Sequence, residues 1–268
     1  MTDSHPSYAV PSRHRHRPWP QCPQCCGIAL DMGSARTRVW IAGRGVVVDV
    51  PTVTVPGTGA VHPVQRGTIV DTPGCARMLR RLLADRVPGP AQPVIIVTSP
   101  VLDGLAYRTR ARAALEVLRP RTVLTVPGAR SIAQAAGADL ARPLLVVDLG
   151  AQVTEAVLLS DGAVTDARRT ALGTGDLDAA TTPGHLAEAV AGMLTAMLGH
   201  DRTGLTAEAL DSGVLLAGGG ALRPDITGEL GARLPASLRV VPAPHTAAVR
   251  GAARLLQAAH THPAASGG

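Results

Sequence analysis

From Gly27 onward the chain alternates short apolar runs with polar, glycine-bearing turns. Three runs come first: GIALD (27–31), TRVWIA (37–42) and GVVVDV (45–50). They are short and rich in β-branched residues, as strands are. A linker, PTVTVPGTGAVHPVQRGTIVDTP (51–73), leads to apolar residues at Met78, Leu79, Leu82 and Leu83. That spacing predicts a helix from about Gly74 to Val87, with Thr72-Pro73 as its cap and first turn. VIIVTS (94–99) is apolar throughout, as in a parallel strand covered on both faces. A helix over about 103–118, the strand TVLTV (122–126) and a small-residue helix over about 129–138 follow. The second half repeats this order. LLVVDL (144–149), TEAVLL (154–159) and AVTDA (163–167) precede a helix over about 185–198. GVLLA (213–217) runs through three glycines into a helix, and LRVV (238–241) leads to a last helix over about 245–259.

Each half therefore reads βββαβαβα. Three leading strands make a meander, and the βαβ units set parallel strands beside it. The fold class is α/β, with two duplicated lobes, 27–140 and 141–259, facing each other across a cleft. Residues 1–26 and 260–268 show no periodicity and read as a loose arm and tail. The repeat is visible residue by residue. A shift of 117 positions lays GIALDMGSARTRVWIAGRGVVVDV on LLVVDLGAQVTEAVLLSDGAVTDA without a gap. Asp31 then falls on Asp148, Gly33 on Gly150, Thr37 on Thr154 and Asp49 on Asp166.

Composition narrows the chemistry. The chain has no Lys, Asn or Phe, and all 26 basic residues are Arg. A phosphate loop of the G-x-x-x-x-G-K type and Schiff-base chemistry are thereby excluded. The net charge of +6 and pI near 10 raise the question of nucleic acid. Arg is spread along the chain, however, and aromatic residues make up only 1%, so stacking platforms are scarce. The basic cluster SRHRHRPWP (12–20) reads as a solvated arm, and no nucleic-acid partner is expected. Cys22 and Cys25 form a C-x-x-C beside Cys26, with His14 and His16 nearby. Zinc would want a second such pair, which is missing, so this reads as a reduced, flexible arm. No apolar run is long enough to span a bilayer, and the first 26 residues lack a secretory core, so a cytoplasmic protein is expected.

A hairpin whose first strand ends in Asp-x-Gly serves phosphate in two ways. Its glycine lets the backbone approach, with N–H groups toward the oxygens. Its carboxylate, repelled by phosphate itself, holds Mg²⁺ through water. Asp31 and Asp148 are thus the candidate metal carboxylates. Two hairpins from opposite lobes would clamp a triphosphate from both sides. One such turn carries no weight; the pair in register does. The alternative is two structural turns left by an old duplication. The third component is VLLAGGGALRP (214–224), where a strand enters Gly218-Gly219-Gly220 and a helix start that admits a flat ring or phosphate.

The order D-x-G-[ST]-x-x-T at Asp31–Thr37, V-D-[IL]-G at Val147–Gly150 and G-G-G-A at Gly218–Ala221 resembles the ATPase superfamily of actin, the heat-shock chaperones and the sugar kinases. Within it the chain is similar to MreB-type bacterial actins, including the Mbl branch. GRGVVVDVPTV, GTIVD, GVLLAGGGAL and the final AVRGAARLL carry that likeness, which spans about Gly27 to Leu256. The resemblance implies an actin-like fold and an ATP-Mg site formed by Asp31, Gly33, Ser34, Ala35, Arg36, Thr37, Asp148, Gly150, Thr154 and Gly218, Gly219, Gly220 and Ala221. It also implies a cytoskeletal role in rod shape and wall synthesis. The partners would be the chain itself, a fuller MreB-type filament and the wall-synthesis machinery at the inner face of the membrane.

The departures shape the expectation. The family's second phosphate loop is G-G-G-T, whereas these positions read Gly150-Ala151-Gln152-Val153, which should crowd the phosphates. Arg36 replaces the usual Asn. The family's hydrolytic Glu should fall within TVPGARSIAQAAG, yet no carboxylate occurs from Leu124 to Ala138. Both outer subdomains are reduced, to the linker after Val50 and to one helix with the loop GHDRTGLT in the second half. The expectation is a scaffold that binds nucleotide poorly and is at most a weak ATPase. The rivals are a working ATPase of the same fold and a sugar- or acetate-kinase-like phosphotransferase, for which the reduced subdomains leave little pocket. A chaperone-like regulator would carry a peptide-binding domain after the last helix.

Overall fold

The computed structural model describes residues 26–262, apart from 56, 58, 88–91 and 103. The arm with Cys22 and Cys25 and the tail beyond 262 lie outside the described residues. Cys26 is described, and it packs half-buried against the first lobe's core instead of belonging to a free arm.

In the first half β1 (Gly27–Met32), β2 (Arg36–Ile41) and β3 (Gly45–Pro51) form the antiparallel meander. Next come a small hairpin of β4 (Val64–Gln65) and β5 (Thr68–Ile69), and then α1 (Thr72–Leu83). β6 (Val94–Ser99), α2 (Gly104–Leu115), β7 (Thr122–Pro127) and α3 (Gly128–Ala136) follow. β6 and β7 add parallel to β1, giving the order β3-β2-β1-β6-β7. The second half contains β8 (Leu144–Leu149), β9 (Thr154–Ser160), β10 (Ala163–Thr170), α4 (Pro183–His200) and α5 (Leu205–Asp211). β11 (Val214–Ala217), α6 (Pro224–Arg233), β12 (Leu238–Val240) and α7 (Ala247–Thr261) complete it. Its sheet order, β10-β9-β8-β11-β12, repeats the first strand for strand.

Four local expectations change. Asp71, not Thr72, caps α1: its carboxylate accepts the Gly74 N–H at 2.8 Å, and a charged acceptor suits a helix N-terminus. The linker is not bare, because it carries the β4–β5 hairpin. The loop GHDRTGLT leads into α5, whose first turn is held by Asp201 accepting from the Thr203 and Thr206 N–H groups at 2.7 and 2.6 Å. The glycine triplet opens a 3₁₀ turn (Gly219–Leu222), and the α-helix begins only at Pro224.

Each sheet has two covered faces. On the outer side, α1 and α2 cover the first sheet through Leu79, Leu83, Ala111 and Leu115, while α4 and α6 cover the second. On the inner side the halves exchange helices. Ala129, Ile132 and Ala133 of α3 pack on Val146, Val157 and Leu215 of the second sheet. Val249, Ala252 and Leu256 of α7 pack on Ala29, Trp40 and Ile96 of the first. α3 and α7 also pack on each other, so close that the Gly251 backbone lies against the Ser131 carbonyl. The two lobes are thus joined by a shared inner layer, with the cleft above it.

Candidate functional site

The two hairpins close alike. The Gly33 N–H donates to the Arg36 carbonyl at 3.0 Å, and the Gly150 N–H to the Val153 carbonyl at 3.0 Å. A Cβ would stand 3.2 Å from that oxygen at Gly33, a tight fit, and 2.5 Å at Gly150, where the turn requires glycine. The carboxylates sit at matching register, Asp31 opposite Arg38 and Asp148 opposite Glu155. Asp31 and Asp148 both line two adjoining cavities. One, of about 120 Å³, is also bordered by Ser34, Thr98, Gly128, Gln152, Val153 and Glu155. The other, of about 260 Å³, is bordered by Ala35, Arg36, Arg38, Gly218, Gly219 and His245.

The Asp31 carboxylate accepts the Thr98 hydroxyl at 2.7 Å and lies 3.7 Å from Arg38 Nη1. Burial raises its pKa, while the Thr98 hydrogen bond and Arg38 pull it back. Asp148 has less help. Burial, then Asp31 and Glu155, push it up to about 7, and only Arg38 opposes them. Near neutral pH the pair carries less than two full charges.

The glycine triplet divides its work. Gly218 has φ +84, and a Cβ there would lie 2.4 Å from the Leu149 carbonyl and 2.5 Å from Asp148 Oδ1. At Gly220 a Cβ would lie 2.7 Å from the Leu149 Cβ. These two seat the turn on the second hairpin. At Gly219 a Cβ would meet nothing within 4 Å, and this residue faces the larger cavity.

Not every residue singled out by its motif reaches the cleft. Thr37 and Thr154 are fully buried, and the Thr37 hydroxyl bonds Thr52 Oγ1 at 2.9 Å inside the first lobe. Ala221 is buried in the second core. Ser34, Ala35 and Arg36 do line the cavities, and Arg36 is held on β3 by Asp49, Nε to Oδ1 at 2.5 Å. Asp49 is itself held below the usual range, because the Arg36 hydrogen bond and Arg38 outweigh its burial.

Gln152 and Val153 line the first cavity, and Gln152 has a further partner. Its Oε1 accepts the Arg66 N–H at 2.9 Å from the β4–β5 turn. Arg66 Nη2 pairs with Asp176 Oδ1 at 2.9 Å, and Nη1 donates to the Ala171 carbonyl. The next residue, Gly67, donates its N–H to Ser34 Oγ at 3.4 Å. This turn, with Arg66 at φ +46, clasps both Asp-x-Gly hairpins across the cleft mouth.

Sequence reasoning passed over Glu155, Arg38, Thr98 and Arg66. Glu155 and Arg38 occupy the same place in the repeat, and alternation along β2 and β9 turns both toward the cleft. Among the described residues, no three His, Cys, Asp or Glu side chains converge on a metal position. The Asp31–Asp148 pair suits Mg²⁺ poorly: one Asp31 oxygen holds Thr98, the other faces a guanidinium, and Asp148 is partly protonated near neutrality.

Two duplicated sheets of identical order, a shared inner helical layer and paired Asp-x-Gly hairpins over one cleft define the actin-like ATPase fold. No family model matches the sequence, and no curated protein matches it. Solved structures do. MreB5 of Spiroplasma citri bound to ADP superimposes with a TM-score of 0.77 over 91% of this chain and 99% of that one, at 13% identity. The MamK double helical filament gives 0.69 over 86% and 98%, at 16% identity. The ethanolamine utilization protein EutJ from Carboxydothermus hydrogenoformans gives 0.61 over 89% and 91%, at 17% identity. The fold expected from the sequence is thereby established. No helix of the described residues is long and apolar enough to cross a membrane.

Proposed function

We propose that this protein is a nucleotide-binding MreB-type bacterial actin. In this reading it assembles with itself or with a fuller MreB-type filament and serves rod shape and wall synthesis at the inner face of the membrane. One observation carries the reading: Asp31-x-Gly33-Ser34 and Asp148-x-Gly150 meet in register over one cleft whose far wall opens at Gly219. MreB5 with ADP and the MamK filament share the fold and supply the analogy for ligand and assembly.

In this reading the phosphates lie between the Gly33 and Gly150 turns, and the adenosine side lies over Gly219. The substituted second loop leaves less backbone free for phosphate. Each lost charge-assisted contact costs about 1.5–3 kcal/mol, which places the affinity at roughly micromolar to millimolar. Hydrolysis is slow, because the 124–138 stretch brings no carboxylate to a water. Glu155 favours a second reading, a working ATPase. It lines the same cavity as Gly128, with Oε2 accepting the Val101 N–H at 3.4 Å. Turnover abolished by Glu155→Gln would select that reading. Calorimetric titration with ATP, and sedimentation of the same samples, tests the proposal. Binding with nucleotide-dependent pelleting supports it; neither binding nor pelleting under any nucleotide refutes it.

A further inference from the structure

We infer that Arg38 is the resident cation of the cleft, so that a nucleoside di- or triphosphate binds here without a divalent metal. The inference rests on the nucleotide reading above and concerns which positive charge the phosphates meet. Arg38 lies on β2 directly across from Asp31, and its side chain is only 13% exposed. It is ion-paired with two carboxylates: Nη1 lies 3.7 Å from Asp31 Oδ2, and Nε lies 3.3 Å from Asp49 Oδ2 without hydrogen-bond geometry. Burying such a charge is tolerable only because it is paired on both sides.

The same guanidinium borders the larger cavity beside Asp31, Asp148 and Gly219. It therefore places a fixed positive charge beside both carboxylates on that side of the cleft. A divalent ion there would sit against a fixed positive charge and compete for a carboxylate already engaged by Arg38 and by Thr98. For a phosphate the same guanidinium is attractive and offsets the carboxylates of Asp31 and Asp148 that border the cavity with it. A guanidinium has five N–H donors in a planar fork, more than the two carboxylate contacts engage, and that fork matches phosphate oxygens. Arg36 and His245 border the same cavity and add donors on that side. In a chain without lysine, arginine is the side chain available for this role.

The test is calorimetric titration of the whole protein with ADP, once in excess Mg²⁺ and once in EDTA. The expected result is binding in both buffers, with dissociation constants within about threefold of each other. Binding that weakens about tenfold or more in EDTA overturns the inference while leaving the nucleotide reading intact. No binding in either buffer overturns both. Arg38→Met should weaken ADP binding in EDTA by about tenfold or more and make the remainder depend on Mg²⁺, because Asp31 is then released. Removing Arg38 leaves two carboxylates unpaired, so the variant's thermal melt is recorded alongside. Arg38→Lys keeps the charge and should retain metal-independent binding. Loss of that binding in a folded Arg38→Lys protein would show that charge alone does not replace the metal, against the inference.

Discussion

Replacing Gly251 by alanine sets two effects against each other. Gly251 lies inside α7, where alanine is the better helix former by about 1 kcal/mol. But a Cβ there would stand 1.6 Å from the Ser131 carbonyl oxygen and 2.5 Å from its carbon. Reaching ordinary contact requires α3 and α7 to part by about 1.5 Å or more. Ile132 and Ala133 on one side and Val249 and Ala252 on the other are almost fully buried, so the separation disturbs both inner cores. Overpacking of this kind typically costs about 1–3 kcal/mol, and here the obstacle is backbone, which yields least. The net effect should be a loss of about 2 kcal/mol, or roughly 4–8 °C in Tm for a chain of this size. Gly192 supplies the control. It lies inside α4 with open space at its Cβ position, so Gly192→Ala should gain about 0.5–1 kcal/mol. Thermal and urea unfolding of the two variants beside the parent read the signs directly. If Gly251→Ala is as stable as the parent, the close α3–α7 packing that joins the lobes is wrong.

The remaining predictions concern the cleft. Asp148 has a raised folded-state pKa, so the native protein holds its proton where the unfolded chain has lost it; stability should therefore fall as pH rises from about 4 to about 7. Asp148→Asn should flatten that slope, and urea midpoints at pH 5 and 8 compare the two. Arg66→Ala should open the mouth of the cleft, increasing amide exchange at 64–69 and 150–153 while costing less than about 1 kcal/mol, because Arg66 is half exposed. Gly219→Val should abolish nucleotide binding with the fold intact, since an added Cβ meets no neighbour within 4 Å and the residue borders the cavity, and calorimetry beside circular dichroism checks both parts. Gln152→Gly with Val153→Thr should strengthen binding; unchanged affinity would show that the substituted second loop is not what limits it.

The strands and their duplication were readable because period-2 runs and an ungapped repeat are local signals. The strand order then follows from handed βαβ connections. α5 escaped because seven residues give too little periodicity, and β4–β5 because two-residue strands give none. The helix exchange was out of reach: the small residues of α3 and α7 say that something approaches closely, without saying which sheet. At the cleft, Asp31, Ser34, Asp148, Gly218 and Gly219, singled out by their motifs, line the two cavities. Thr37 and Thr154 were misplaced although the signal was present. Along β2, Thr37 shares a face with Val39, and both are fully buried, while Arg38 turns to the cleft. Arg66 was not legible at all, because its partners at 152, 171 and 176 come from the other half of the chain.

The central claim is that a nucleotide lies between the two hairpins. Hydrogen–deuterium exchange with and without saturating ATP tests it by position. The account predicts slowed exchange at three separated segments, 31–36, 148–153 and 218–222, and little change on the outer helices α1, α2 and α4. Protection confined to another surface, or none at a concentration where calorimetry detects binding, would contradict it.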